Sequence, residues 1–188
     1  MYKCTYKWLT ALAFFCGLLS SCKNETLPKP DGQLRLEYTV ANYTLFNSQC
    51  PFTFDVNKKA FVKKDNDCGF EIKYPNMKAT IFITYKAVNG NIDKLLRDAQ
   101  KLTYEHVIKA DGIVEQPYIN KNKKVYGMFY QVNGNAATNS QFYATDSISH
   151  FITGSVYFYA KPNFDSIMPA ADYIKNDMQT IMETLKWK

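Results

Sequence analysis

Ile167, Ala171, Ile174, Met178, Ile181 and Leu185 follow one another along the C-terminal stretch in alternating steps of four and three. That spacing places them all on one stripe of an α-helix. A helix with a single apolar stripe draws its stability from burying the stripe against a second layer, so this chain must supply one. Asp165 or Ser166 is the candidate N-cap of the helix, and Pro169 is expected in its first turn. Trp187 stands just past the end, placed to close the edge of the contact.

The second layer reads as sheet. Aromatic residues make up 15% of the chain, with 14 Tyr and 13 Phe, and such side chains suit pleated, half-buried surfaces. Strand patterns occupy residues 51–56, 70–74, 79–88, 124–132, 140–145 and 150–160, with a weaker one over 113–119 interrupted by Pro117. Residues 58–67 read as a polar, charged turn, and the polar stretch 133–139, which contains Asn133-Gly134, suits a hairpin connection. Between the strands lies a further helix. Ile92, Leu95, Leu96, Ala99, Leu102, Thr103, His106, Val107 and Ala110 form its packed stripe, opposite Asp93, Lys94, Arg97, Asp98, Lys101 and Glu105. His106 on that stripe is expected to be a core or boundary histidine. The order strands, helix, strands, helix predicts an α+β fold, an antiparallel sheet flanked by two helices. By element order it is similar to the sandwich of PsbP and Mog1-like proteins.

The N-terminus determines where this domain folds. Lys3 and Lys7 precede an apolar run over 8–19, too short to span a bilayer and right for a signal peptide over 1–21. Leu19-Ser20-Ser21-Cys22 resembles a bacterial lipobox, in which the Cys22 thiol accepts a diacylglyceryl group. Acyl chains such as palmitate would then hold the protein on a membrane with no helix crossing it. Residues 22–33 read as anchor and tether, and 34–188 as one globular domain. Of five Cys, Cys4 and Cys16 leave with the leader and Cys22 is the anchor. Cys50 and Cys68 remain, and in an oxidising compartment a disulfide is the default for such a pair. The alternatives are a redox pair, which is usually closer in sequence, or a metal site, to which only His106 and His150 could contribute.

Charge and motifs exclude several function classes. Net charge is +6, and about +4 once Lys3 and Lys7 are removed, with the lysines spread rather than gathered into the dense stripe that nucleic-acid binding uses. No nucleophile elbow, zinc-protease helix motif or phosphate-cradling loop is present. Asp146, Ser147 and His150 are triad residue types, but neighbours on an extended chain point to opposite faces, so Asp146 is expected to bond the backbone of a turn. Asp65 and Asp67 read as a solvated loop. No catalytic residue, metal ligand or cofactor is assigned. The strands carry more aromatics than one buried face needs. Either Tyr126, Tyr130, Tyr143, Tyr157 and Tyr159 point outward as an interface, or a helix covers the second sheet face.

Several segments in this order resemble the gliding motility lipoprotein GldD family of Bacteroidota. They are Cys50-Pro-Phe-Thr-Phe54, Ile83-Thr-Tyr-Lys86, Lys109-Ala-Asp111, Val125-Tyr-Gly127, residues 134–142, Thr145-Asp-Ser147 with His150-Phe151, Lys161-Pro-Asn-Phe-Asp-Ser166 and Glu183-Thr-Leu-Lys-Trp187. The pattern departs at Gly69-Phe70, where the family has a Trp. The resemblance implies an outer-membrane lipoprotein required for gliding and linked to type IX secretion, with no established enzymatic activity and no cofactor. Its partners would be the membrane, through the anchor, and other motility or secretion proteins of the envelope. Not every bacterium with such proteins glides, so the resemblance also admits a role in secretion alone. The rival class, a ligand-binding or hydrolytic lipoprotein acting on an envelope polymer, requires a deep pocket lined by convergent polar groups. A chaperone for another lipoprotein is the third.

Overall fold

Alternating apolar and polar residues pair into ladders, and short connections make those ladders antiparallel. The computed structural model describes residues 36–105, 112–134, 138–159 and 164–188. The leader, Cys22, the whole 22–33 tether, residues 106–111 with His106, and residues 135–137 and 160–163 lie outside them. In chain order the elements are β1 (Tyr43–Asn47), β2 (Phe52–Asn57), β3 (Phe61–Lys64), β4 (Phe70–Tyr74), β5 (Ala79–Ala87), α1 (Ile92–Tyr104), β6 (Gly112–Asn120), β7 (Val125–Asn133), β8 (Ser140–Thr145), β9 (His150–Phe158), α2 (Phe164–Thr184) and β10 (Lys186–Trp187). They build two antiparallel sheets, one of seven strands in the order β3-β4-β5-β9-β8-β7-β6 and one of three in the order β1-β2-β10. The class is the α+β architecture expected.

Topology puts the helices on opposite faces. β5 pairs with β9, whereas the next strand, β6, lies at the far edge. Helix α1 makes that crossing over one face, where Leu95 meets Val88, Phe151 and Tyr143. Helix α2 follows β9 and packs on the other face with β2 of the small sheet. Strand β9 divides accordingly, with Ile152, Val156 and Phe158 in the α2 core and Phe151 under α1. Every residue of the α2 seam is buried. Burial of a Leu, Ile or Met side chain contributes about 1.5–3 kcal/mol, so this contact outweighs any single polar interaction in the fold.

The sheets are joined by side chains. Phe52 and Phe54 from β2 meet Phe70 from β4 edge-on, at 6.0 and 6.4 Å between ring centres, and Phe46 from β1 meets it at 5.0 Å. Gly154 opposes Phe142 across the ladder, and a Cβ there would lie 2.2 Å from the ring. The missing side chain leaves the room that the phenyl group fills.

Four expectations need correction. Residues 58–67 contain strand β3, which pairs with β4 through Phe61↔Lys73 and Val62↔Ile72. Lys63 and Lys64 hid it, because lysines that blunt a sheet edge look like loop residues in sequence. Pro117 does not interrupt β6, since an edge strand needs no partner for one side of its backbone. Pro169 lies beyond the first turn of a helix that already includes Phe164, so it removes one early hydrogen bond, that to the Asp165 carbonyl. Leu102, assigned to the packed stripe of α1, is 49% exposed. Strands β1 and β10 were not anticipated. Trp187 closes the edge as expected, by pairing with Phe52 as part of β10.

Ile174 is fully buried at the centre of the seam. Ile174→Ala should therefore lower unfolding free energy by about 2–5 kcal/mol in urea titration, whereas Asp172→Ala on the exposed side of the same helix should change it by less than about 0.5 kcal/mol.

Candidate functional site

Asp177 is 1% exposed and lies on the buried side of α2. Its Oδ1 accepts from the Tyr43 hydroxyl at 2.6 Å. Its Oδ2 accepts from the Tyr74 hydroxyl at 2.8 Å and from Asn57 Nδ2 at 2.9 Å. Asn57 Nδ2 also donates to the Tyr173 hydroxyl at 2.9 Å, and Asn57 Oδ1 accepts from the Lys59 backbone N–H at 3.0 Å. The cluster thus ties β1, β2 and β4 to α2, and it uses both oxygens of Asp177 and both ends of the Asn57 amide.

These bonds fix the chemistry available. Burial, aided by the hydrogen bond and charge of Asp177, pushes the Tyr43 hydroxyl up to about 12, and burial raises that of Tyr74 further. Both stay phenols near neutral pH and act as donors. The Asp177 carboxyl reaches no solvent through them. Its geometry is that of a packing pin.

Above the cluster opens a groove of about 430 Å³, with Tyr74 and Tyr173 in its floor, Leu36, Glu37 and Thr39 on one wall, and Lys59, Phe61 and the 75–77 turn on the other. Tyr38 packs against Tyr173 with the rings tilted, at 5.8 Å between ring centres. Its hydroxyl is buried with no hydrogen-bond partner among the described residues, and burial raises its pKa.

The residues singled out in sequence fall in separate places. Cys50 and Cys68 form a disulfide, which staples the approach to β2 onto the approach to β4. Asp67 and Cys68 both take left-handed backbone angles, φ 52° and 61°, in the turn it holds. Tyr130 is 2% exposed, so it is not available as an interface residue; α1 lies over it. Tyr143 is half-buried on the same face, stacked on Phe151 at 5.8 Å between ring centres. Tyr126 is half-buried, while Tyr157 and Tyr159 are exposed and meet edge-on at 5.0 Å. The helix covers part of the second sheet face and leaves part open.

At the other end of β5 and β9, Tyr85 and His150 share a hydrogen bond of 2.9 Å between the hydroxyl and Nδ1. Trp187 stacks on the imidazole at 5.2 Å and donates from Nε1 to the Lys124 carbonyl. Asp146 Oδ1 accepts backbone N–H bonds from Ile148, Ser149 and His150 at 2.8–3.0 Å. Burial raises its pKa, but the three N–H bonds outweigh that and hold it below the usual carboxylate range. Asp146 is the turn residue expected, and it builds no triad with His150. Asp65 and Asp67 are exposed. Among the described residues, no cluster of His, Cys, Asp or Glu has the makings of a metal site.

The Asp177 cluster was missed in sequence. The available signal was an acid set between Ile174 and Met178, on the buried side of an otherwise apolar stripe, where a carboxyl group needs dedicated donors.

A family model described as gliding motility lipoprotein GldD matches residues 23–187. Comparison with curated proteins finds no match.

Asp177→Ala strands the Tyr74 hydroxyl and one N–H of the Asn57 amide, each at a cost of about 1–3 kcal/mol, so it should destabilise by more than Tyr43→Phe, which removes one donor. Tyr43 has its proton affinity raised on folding, so the folded protein holds more protons than the unfolded one between about pH 10 and 12. Stability that is intact below that window should decline as pH rises through it. In chemical denaturation at stepped pH, Tyr43→Phe should flatten this decline.

Proposed function

Because the chain belongs to the gliding motility lipoprotein GldD family, we propose that it is a non-catalytic, lipid-anchored envelope component that docks or helps assemble other proteins of the motility and type IX secretion apparatus. The family match over residues 23–187 carries this reading. The matched stretch begins one residue after Cys22, which supports Cys22 as the acylated first residue of the mature protein and 1–21 as the leader. In this reading 22–33 is the tether, 34–188 is the body, and the anchor lies in the outer membrane.

The chemistry of the body supports docking over turnover. Asp177 is occupied as a structural pin, Asp146 as a turn cap, and His150 between Tyr85 and Trp187. A rigid body with exposed side chains such as Leu102, Tyr104 and Ile148 offers what a docking partner needs.

Crosslinked affinity purification from intact cells tests this. The wild-type protein should recover a reproducible set of envelope proteins, and Cys22→Ala should lose most of them while still folding. Recovery of no envelope protein by the wild type would overturn the docking role.

A further inference from the structure

We infer that the end of the sandwich around the 75–78 turn is a membrane-facing surface, which rests against a bilayer carrying anionic phospholipid headgroups. This rests on the reading of Cys22 as the anchor. The segment that leads from the anchor enters the structure at this end, since Leu36, Glu37 and Thr39 line the groove beside Phe61, Pro75 and Met77. Only residues 23–35 separate Cys22 from Leu36. At about 3.3–3.6 Å per residue, such a tether keeps the body within a few tens of ångströms of the bilayer.

The side chains at this end match a bilayer surface. Phe61 is 67% exposed, Tyr159 57%, Tyr157 42% and Val40 96%. Phe61 opposes Lys73, Lys73 opposes Thr80, and Thr80 opposes Tyr157, so these residues form one row across β3, β4, β5 and β9. Tyr159 stands beside Lys78, whose carbonyl accepts its backbone N–H at 2.8 Å. Lys73 is paired with Glu71 at 2.8 Å. Lys58, Lys59 and Lys78 are exposed in the flanking turns and make no ion pair among the described residues, whereas Glu37 is the acid facing the groove. Tyrosine and phenylalanine rings partition into the headgroup region, and lysines beside them are drawn to anionic lipid. A protein partner needs neither the rim of lysines nor the tether's entry at this point.

The test compares hydroxyl-radical footprints of the acylated protein in liposomes of phosphatidylethanolamine and phosphatidylglycerol with those of Cys22→Ser protein free in buffer. Phe61, Tyr157 and Tyr159 should react at least about threefold more slowly on the liposomes, while Ile148 at the opposite end should be unchanged. The protection should weaken in liposomes of neutral phosphatidylcholine and in Lys58→Glu/Lys59→Glu/Lys78→Glu, a variant confined to exposed turns. Equal reactivity in both states, or protection of Ile148 instead, would overturn the surface while leaving the anchor in place. Intact mass of the same sample reads the anchor separately: absence of acyl mass on Cys22 would overturn the lipoprotein reading itself.

Discussion

Helix α2 is the contact on which the rest of this fold depends. The two sheets share no strand, so backbone hydrogen bonds cannot hold one to the other. What holds them is a seam of apolar side chains from one helix, pressed against β2 of the small sheet and β8 of the large one. Hydrophobic burial of that kind is strong but non-directional. It would bring the layers together without fixing their relative position. The position comes from groups that tolerate few arrangements: the phenyl rings of Phe46, Phe52, Phe54 and Phe70, the disulfide, and Asp177 with its donors.

Asp177 does this at some cost. A carboxyl group taken out of water loses hydration that three donors only partly replace, and an apolar side chain of similar volume could serve packing as well. The partners explain what the polar group adds. Tyr43, Asn57 and Tyr74 lie 103–134 residues away in sequence and come from three different strands, so the bonds can all form only when both sheets are seated on the helix. Slippage of α2 against either sheet breaks several at once. The disulfide acts at the neighbouring crossing, and it holds Asp67 and Cys68 in left-handed angles that cost non-glycine residues about 1–2 kcal/mol each. Covalent closure there offsets a turn that local preference opposes.

The parts of this architecture legible in sequence are those with a repeating period. The α2 seam, strands β4, β5, β8 and β9, and the Asp146 turn each follow from spacing or from the bonding habit of one residue. The elements that were missed lack a period long enough to register. β10 has two residues, and β3 alternates over four of which two are lysines, so composition masked it. The site was harder still. Asp177 acquires its meaning from residues more than a hundred positions away, and its place on the apolar stripe shows that it needs donors without showing which residues supply them. The tyrosines divide for a similar reason. Whether a strand's outer face is covered depends on where α1 crosses, which follows from β6 lying at the sheet edge and not from the strands themselves.

Sheet edges constrain how such a body can meet a partner. Addition of a partner strand requires an open edge with free donors and acceptors. At β6 that edge carries Pro117, which has no N–H to offer, and at β3 it is four residues long with two lysines. Docking on the large sheet then uses its faces or loop ends, while β1 and β10 remain the edges of the small sheet. If the 75–78 end lies toward the bilayer, the opposite end, with the Asp146 turn, exposed Ile148 and the stacked His150 and Trp187, points into the compartment, and the outer side of α1 with Leu102 and Tyr104 lies alongside it. Both are held by rigid elements, the first by the three N–H bonds to Asp146 and the second by the burial of Leu95 under the helix. A partner recognised there meets a surface already ordered before binding, so little of the interaction is spent on ordering the body.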